Sequence, residues 1–292
     1  MTPQDIRLDG RVVIVAGAGG GGIGTASAVL LAKAGATVIG IDRSEAGRAT
    51  AKAALEGLGR SRMIACDLTD KQAVRAMIGD VERNDGPIRG VLNVVGGMQG
   101  REQFAPLLVD DGDDIFRRIL DTNLTATLNC SVEAARAMLA HGLGGSIVQI
   151  GSATGLVSMA FGGGYGAAKA ALFNLTRTMA VEWGSGGVRV NAIAVGMIRT
   201  AQSQDVVKEV GEAARVAVPL GRPGLSEEIA GPVLFMLSDL ASYVTGATLS
   251  VDGGSMARAP YNDAENLPVF VNDADLRERL RLAQTHIGCG AR

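Results

Sequence analysis

Hydrophobic residues occur along the chain in short continuous runs that alternate with longer helical patterns. The first run, Val12–Ala16, is apolar throughout and rich in β-branched residues, which is typical of a strand covered on both faces. Further strands are predicted at 37–41, 63–66, 90–95, 146–150, 189–193 and 248–251. Helices are predicted at about 25–34, 44–58, 69–82, 113–139, 164–183 and 226–238.

This alternation of strand and helix, with short connections, is typical of one fold class. It predicts an α/β, Rossmann-type doubly wound parallel sheet of about seven strands, with helices on both faces. Residues 1–255 contain no linker and are expected to form a single domain. Residues 256–292 form a polar C-terminal tail with a short amphipathic helix at about 275–282. The tail either lies along the surface or covers a pocket or a neighbouring subunit.

Composition narrows the choice of partners and compartment. The chain has 28 Lys and Arg against 30 Asp and Glu and contains no basic block, so we expect no nucleic-acid partner. The three cysteines are too scattered for a disulfide framework or a zinc site. The amino terminus lacks the features of a signal peptide, and no apolar run approaches the roughly 18 residues that span a bilayer. These features predict a cytoplasmic protein with no membrane partner.

A glycine-rich loop, residues 17–24, lies between the first strand and the first helix. In that context backbone N–H groups and the helix dipole can hold a pyrophosphate. Asp42 ends the second strand, where a carboxylate can bind ribose hydroxyls and repel a 2′-phosphate. The arrangement predicts a dinucleotide site with NAD favoured over NADP. Arg43 leaves an alternative open, because a guanidinium there could pair with a phosphate instead of facing solvent.

Candidate catalytic residues lie at and after the fifth predicted strand. Tyr165 and Lys169 are four residues apart in a helical pattern, so they share one helix face. Ser152 follows the strand, at the carboxyl end where open α/β sheets bind ligands. A Tyr-x-x-x-Lys pair is common in helices by chance, and its position after this strand is what makes it informative.

With these residues in place, the sequence resembles the short-chain dehydrogenase/reductase family over about residues 8–256. The ordered motifs that carry the resemblance are the glycine loop, Cys66-Asp67-Leu68, Asn93-Val94-Val95-Gly96, Asp121-Thr122-Asn123, Ser152, Tyr165 with Lys169, Asn191-Ala192-Ile193-Ala194-Val195-Gly196, and Val251-Asp252-Gly253-Gly254. The glycine loop is one residue longer than usual in the family, and Val195 stands where a proline is common.

The resemblance implies four catalytic roles. Tyr165 would be the general acid in reduction and the base in oxidation. Lys169 would favour the phenolate and bind the nicotinamide ribose. Ser152 would donate to the substrate oxygen, and Asn123 would hold a water that relays protons.

It also implies a cofactor site. Asp67 would receive the adenine amino group beside Leu68, and Asn93 would support the central strands. Ile198 and Thr200 would contact the nicotinamide amide. The full cofactor-binding set is Gly17, Gly22, Ile23, Gly24, Asp42, Arg43, Asp67, Leu68, Asn93, Gly96, Tyr165, Lys169, Gly196, Ile198 and Thr200. We expect no metal site, because the two histidines, His141 and His286, have no partner arrangement for one.

The function predicted is an NAD(P)-dependent oxidoreductase that interconverts a secondary alcohol and a ketone. The residues expected to line the pocket are mostly apolar, which favours a neutral, fairly hydrophobic substrate, with cyclic compounds among the candidates. Two alternatives stay open: a catalytically silent dinucleotide-binding regulator, or a 3-oxoacyl-thioester reductase. The resemblance implies a homo-oligomer, either a tetramer or a dimer, built through the helices at about 113–139 and 164–183.

Overall fold

The computed structural model describes residues 2, 6–97, 112–200, 217–258, 267 and 272–289. Its strands are β1 (Val12–Ala16), β2 (Thr37–Ile41), β3 (Ser61–Ile64), β4 (Ile88–Asn93), β5 (Gly145–Ser152), β6 (Val188–Val195), β7 (Ile198–Arg199), β8 (Gly224–Leu225) and β9 (Thr248–Val251). Seven of them form one sheet in the order β3-β2-β1-β4-β5-β6-β9, with every pairing parallel. The predicted seven-stranded parallel sheet is confirmed.

The α-helices of the described ranges are α1 (Ile23–Lys33), α2 (Glu45–Ala54), α3 (Lys71–Asn84), α4 (Gly112–Leu120), α5 (Ala126–His141), α6 (Gly163–Trp183), α7 (Ser226–Leu237) and α8 (Ala274–Cys289). They cover both faces of the sheet. Val13 and Val15 of β1 pack in one core with Leu31 of α1 and Val233 of α7. Ile14 points the other way, into a second core with residues of α3, α5 and α6. A strand buried on both faces reads as continuously apolar, which is why β1 has no polar position.

The strand order reverses direction at β1. From β1 the chain first builds outward through β2 and β3, and then returns to place β4 on the other side of β1. The loops that follow β1 and β4 therefore diverge and leave a crevice at the carboxyl edge of the sheet. Such a switch point is where open α/β sheets bind ligands.

The helix predicted at about 113–139 is present over residues 112–141, but it is not an α-helix throughout. A single π-helical turn, Asp121–Thr125, separates α4 from α5. Asn123 lies in this turn, and its side chain donates to the Ile119 carbonyl oxygen at 3.1 Å and to that of Gly97 at 3.3 Å. A π-helical turn inserts one extra residue into a helix. The hydropathy pattern does not reveal it here, because Asn123 is buried and its amide is satisfied by a distant loop.

The remaining differences concern two short strands, the ends of two predicted elements and one residue of the tail. β7 and β8, which pair with each other in a separate two-stranded sheet, are too short to show an apolar pattern. β3 begins earlier than predicted, at Ser61, and α8 runs on to Cys289. Leu267, in the predicted tail, is buried. Among the described residues, no helix is both long and apolar enough to cross a membrane.

Candidate active site

Ser152 is the last residue of β5, where it pairs with Val195 at the end of β6. Its Oγ accepts hydrogen bonds from Thr154, at 2.9 Å from the hydroxyl and 3.3 Å from the backbone N–H. The Ser152 hydroxyl also interacts with the phenol of Tyr165 and lowers the pKa of that phenol. Because Thr154 occupies both acceptor positions of the Ser152 oxygen, the Ser152 proton is left to be donated.

Tyr165 lies in the first turn of α6, directly over the end of β5. Burial raises the pKa of its phenol, and the hydrogen bond from Ser152 acts in the opposite direction. Tyr165 is nevertheless only partly buried as a residue.

Lys169 follows one helical turn later and is only 3% exposed. Its Nζ donates to the Ile150 carbonyl oxygen at 3.0 Å and lies 5.6 Å from the centroid of the Tyr165 ring. Burial lowers the pKa of this ammonium to about 8, because a charged amine loses hydration there. The structure thus brings Ser152, Tyr165 and Lys169 together, as the sequence predicts.

Asn123 holds the loop that follows β4. The backbone N–H of Gly97 donates to Asn123 Oδ1 at 2.7 Å, alongside the contacts given above. A Cβ on Gly96 would lie 2.4 Å from the same Oδ1, so the backbone approaches the amide too closely for a side chain. The π-helical turn packs against α6, the helix that carries Tyr165 and Lys169.

The glycine loop is closely packed at its two ends. A Cβ on Gly24 would lie 1.9 Å from the Gly17 carbonyl oxygen, and one on Gly17 would lie 2.9 Å from the Val95 nitrogen. A Cβ on Gly22, by contrast, would contact only Thr200, at a normal van der Waals distance of 3.5 Å. Thr200 therefore lies against this loop.

The amino terminus of α1 fits an anionic group. Its N-cap, Gly22, has no side-chain cap, and the first turn contains no acidic residue. The N–H groups at the start of the helix, which include those of Ile23 and Gly24, have no intrahelical partner. These N–H groups and the helix dipole could hold the pyrophosphate that the sequence predicts at this loop.

Asp42 follows β2 and contacts the glycine loop. Its carboxylate accepts from the N–H of Gly19 at 3.1 Å and from that of Ser44 at 2.9 Å. Gly19 was not among the predicted residues, because a run of adjacent glycines does not show which one meets the acid. Arg43 is exposed, whereas Arg48 donates to the carbonyl oxygens of Asp42 and Arg43 at 3.0 and 2.9 Å.

The segment after β3 carries Asp67 and Leu68. Asp67 accepts from the hydroxyl and the N–H of Thr69, at 2.7 and 2.9 Å, and these bonds lower the pKa of its carboxyl. Leu68 is buried, and its carbonyl oxygen accepts from Asn129 of α5 at 3.0 Å. Asn129 positions this segment but lies in a helix with no motif of its own, so the sequence did not reveal it.

Asn93 ends β4 with its side chain in the core. Its amide donates to Ser131 Oγ and to Gln149 Oε1, each at 3.0 Å, and Gln149 donates to the same hydroxyl. This network joins β4, β5 and α5. Asn93 thus supports the strands below the crevice, and its side chain does not face the crevice itself.

Gly196 follows β6, and a Cβ there would lie 2.7 Å from the Cα of Asp252. Asp252 in turn accepts from the N–H groups of Gly254 and Met256. Ile198 lies two residues beyond Gly196, in β7, beside Gly224. The candidate residues from the loops after β1 through β6 therefore surround one edge of the sheet.

No metal-binding cluster of acidic, histidine or cysteine side chains is present in the described part of the chain. His141 is the last residue of α5, and its ring makes two hydrogen-bond contacts outside the helix. Its Nδ1 accepts from Leu143 N at 3.1 Å, and its Nε2 lies 3.2 Å from the Ile88 carbonyl oxygen.

Comparison with known proteins identifies the family. A family model described as enoyl-(acyl carrier protein) reductase matches residues 17–256. A cis-4-hydroxycyclohexanecarboxylate dehydrogenase of Sinomonas cyclohexanicum is 37% identical over 247 residues, covering 85% of this chain and 97% of that protein. A 3-oxoacyl-(acyl carrier protein) reductase of Vibrio harveyi is 36% identical over 253 residues, covering 85% and 98%.

Solved structures agree. A gluconate 5-dehydrogenase from Burkholderia cenocepacia J2315, in complex with NADP and tartrate, matches with a TM-score of 0.80 at 30% identity, covering 88% of this chain and 99% of that one. A 7α-hydroxysteroid dehydrogenase in complex with NADH matches with a TM-score of 0.78 at 30% identity, covering 87% and 97%. The chain belongs to the short-chain dehydrogenase/reductase family. It is an oxidoreductase of the kind that acts on alcohols and carbonyls.

Proposed function

We propose that the protein is an NAD-preferring dehydrogenase that interconverts a secondary alcohol and a ketone, with Tyr165 as the acid–base group. The observation that carries this proposal is the contact of Ser152 with Tyr165 above a buried Lys169, at the edge of the sheet that holds the glycine loop. A bound nicotinamide supplies the carbon that accepts or gives the hydride.

In oxidation, Tyr165 takes the proton of the substrate hydroxyl, and in reduction it returns a proton to the carbonyl oxygen. In the protein by itself the phenol holds its proton, because burial raises its pKa. Two groups favour the phenolate when a base is needed: the nearby Lys169 ammonium and the hydrogen bond from Ser152. Ser152 can also donate to the substrate oxygen, where negative charge develops.

NAD preference rests on Asp42. Its carboxylate contacts the glycine loop through Gly19 and ends the strand next to β1, where the adenosine ribose binds in this fold. A 2′-phosphate there would lie against a negative charge. The exposed Arg43 offers the opposing possibility, so both nucleotides belong in the test.

An apolar rim favours a neutral, hydrophobic substrate. Leu156, Phe161 and Met197 lie in the segments that follow β5 and β6, and their side chains are exposed. Met98 and residues 201–216 fall outside the described residues. The relative that oxidises a hydroxycyclohexane acid supports a cyclic alcohol, whereas the acyl-carrier relative supports a 3-oxoacyl thioester as a second candidate.

The test is turnover with NAD+ or NADP+ across cyclic and acyclic secondary alcohols, and with NADH or NADPH and a 3-oxoacyl thioester. Tyr165→Phe is compared with Tyr243→Phe, which removes the same hydroxyl from a fully exposed ring. We expect alcohol oxidation with NAD+ that falls by at least about 100-fold in Tyr165→Phe only. Turnover that survives Tyr165→Phe contradicts the proposal. Nucleotide binding without turnover on any substrate favours the regulatory alternative.

A catalytic domain of residues 1–255 and assembly into a tetramer or dimer are part of the same proposal. Gel filtration with light scattering tests the assembly, and a monomer would contradict it.

A further inference from the structure

A second cavity opens at the opposite, amino-terminal edge of the main sheet. Its volume is about 510 Å³, within the range typical of small-molecule sites. Arg11, immediately before β1, Arg89 of β4 and Arg189 of β6 all line it. Since these residues lie at the starts of parallel strands, the cavity is separated from the crevice by the length of the strands.

The cavity carries an excess of positive charge. Asp239 is the one acidic side chain among the described residues that line it, against the three arginines. Arg11 forms a salt bridge with Asp239. One carboxylate therefore faces three guanidinium groups.

Arg189 has a structural role. It donates to the carbonyl oxygens of Met236 at 2.9 Å, Ser238 at 3.1 Å and Val244 at 3.2 Å. These contacts satisfy carbonyl groups at the carboxyl end of α7, where a cation is also favoured by the helix dipole.

Arg89 has no such role. Within the described residues it makes no hydrogen bond, and its Nε is buried without a partner. Burial lowers the pKa of its guanidinium, the charge of Arg11 acts in the same direction, and the charge of Asp239 acts in the opposite one. A buried donor that is left unsatisfied destabilises a fold, so the Nε of Arg89, beside the cavity, is free to bind an acceptor there.

We propose that this cavity binds a small organic dianion through carboxylate or phosphate oxygens, held by Arg89 and Arg11. Charge-assisted hydrogen bonds from guanidinium groups to such oxygens are among the strongest in proteins, and their forked geometry suits both groups. The remaining volume accommodates the organic part of the ligand. The site is separate from the proposed dehydrogenase site and does not depend on it.

The experiment is calorimetric titration of the full chain with inorganic phosphate and with succinate, at an ionic strength held constant with chloride. Arg89→Gln is compared with Arg83→Gln, which removes the same charge from an exposed position on α3. Asp239→Asn is the second variant, because removal of the one carboxylate should strengthen binding. Circular dichroism confirms that each variant is folded.

Saturable binding that weakens about tenfold or more in Arg89→Gln, but not in Arg83→Gln, supports the site. Whichever of phosphate or succinate binds more tightly identifies the preferred oxyanion. Equal binding by Arg89→Gln and Arg83→Gln assigns the anion to another place, such as the glycine loop, and overturns the proposal. Absence of saturable binding to both anions also overturns it. If Arg89→Gln is unfolded, Asp239→Asn decides: binding tighter than in the unmodified protein supports the site, and unchanged binding overturns it.

Discussion

The ammonium group of Lys169 lies 5.6 Å from the centre of the Tyr165 ring and is held there by a hydrogen bond to the Ile150 carbonyl oxygen of β5. The carbonyl belongs to the strand that also carries Ser152. The buried amine, the phenol and the serine hydroxyl are therefore positioned by one strand and one helix. Sites on rigid elements hold their geometry better than sites on loops.

Lys169 should make stability depend on pH. Burial lowers its pKa from 10.5 to about 8, so the folded protein loses this proton before the unfolded chain does. Between pH 8 and 10.5 the unfolded state binds more protons, and stability attributable to Lys169 rises with pH. We expect the unmodified protein to gain about 3 kcal/mol over this window relative to Lys169→Met. Denaturant unfolding gives the free energy of unfolding of each protein at each pH. Taking the difference between the two proteins cancels the contributions of other groups, such as Tyr165 and the cysteines. A constant difference would contradict the prediction.

Thr154 should act on catalysis through Ser152. Thr154→Val keeps the shape of the side chain but removes the 2.9 Å hydrogen bond to Ser152 Oγ. The Ser152 hydroxyl is then held less firmly in the orientation that donates its proton to Tyr165 or the substrate. We expect kcat to fall about 3- to 10-fold. In alcohol oxidation the limb where the rate rises with pH, as Tyr165 loses its proton, should move to higher pH, because the bond from Ser152 lowers the pKa of Tyr165. Thr154→Ser retains the hydroxyl and should restore both. A loss of rate with an unmoved profile would indicate a merely structural role.

Gly96 and Gly97 form a matched pair. Both have a positive φ, at 111° and 115°, where a side chain is strained. A Cβ on Gly96 would lie 2.4 Å from Asn123 Oδ1, whereas one on Gly97 meets nothing within 4 Å. We expect Gly97→Ala to cost about 1–2 kcal/mol of stability. Gly96→Ala should cost about 1–3 kcal/mol more, because Asn123 must move. Urea unfolding compares the two, and equal losses would show that the contact with Asn123 is unimportant.

Asp42 should decide between the two nucleotides. Asp42→Ala removes the acceptor for ribose hydroxyls and the repulsion of a 2′-phosphate. We expect kcat/KM with NAD+ to fall about tenfold or more, and the ratio of NAD+ to NADP+ efficiency to fall with it. Arg43→Ala changes the adjacent exposed cation, and it should leave the NAD+ rate unchanged. The phosphate-binding alternative would be favoured if Arg43→Ala lost activity with NADP+ selectively while Asp42→Ala kept its preference between the two nucleotides.

Local pattern was sufficient for much of the fold and part of the site. Continuous apolar runs such as Val12–Ala16 predict buried parallel strands, because a strand covered on both faces has no position for a polar side chain. Tyr165 and Lys169 share a helix face because of helical periodicity, and Asp42 could be assigned from its place at the end of a strand. These features depend on residues that are close in sequence.

Contacts between distant segments decided the rest. The amide of Asn123, in the π-helical turn, binds the loop at Gly97, and hydropathy does not record that partner. Gly19 could be distinguished from its neighbours only where the fold brings Asp42 against it. The arginine-lined cavity assembles residues 11, 89 and 189 from the starts of separate strands. Each depends on which strands become neighbours, and long-range packing determines that order.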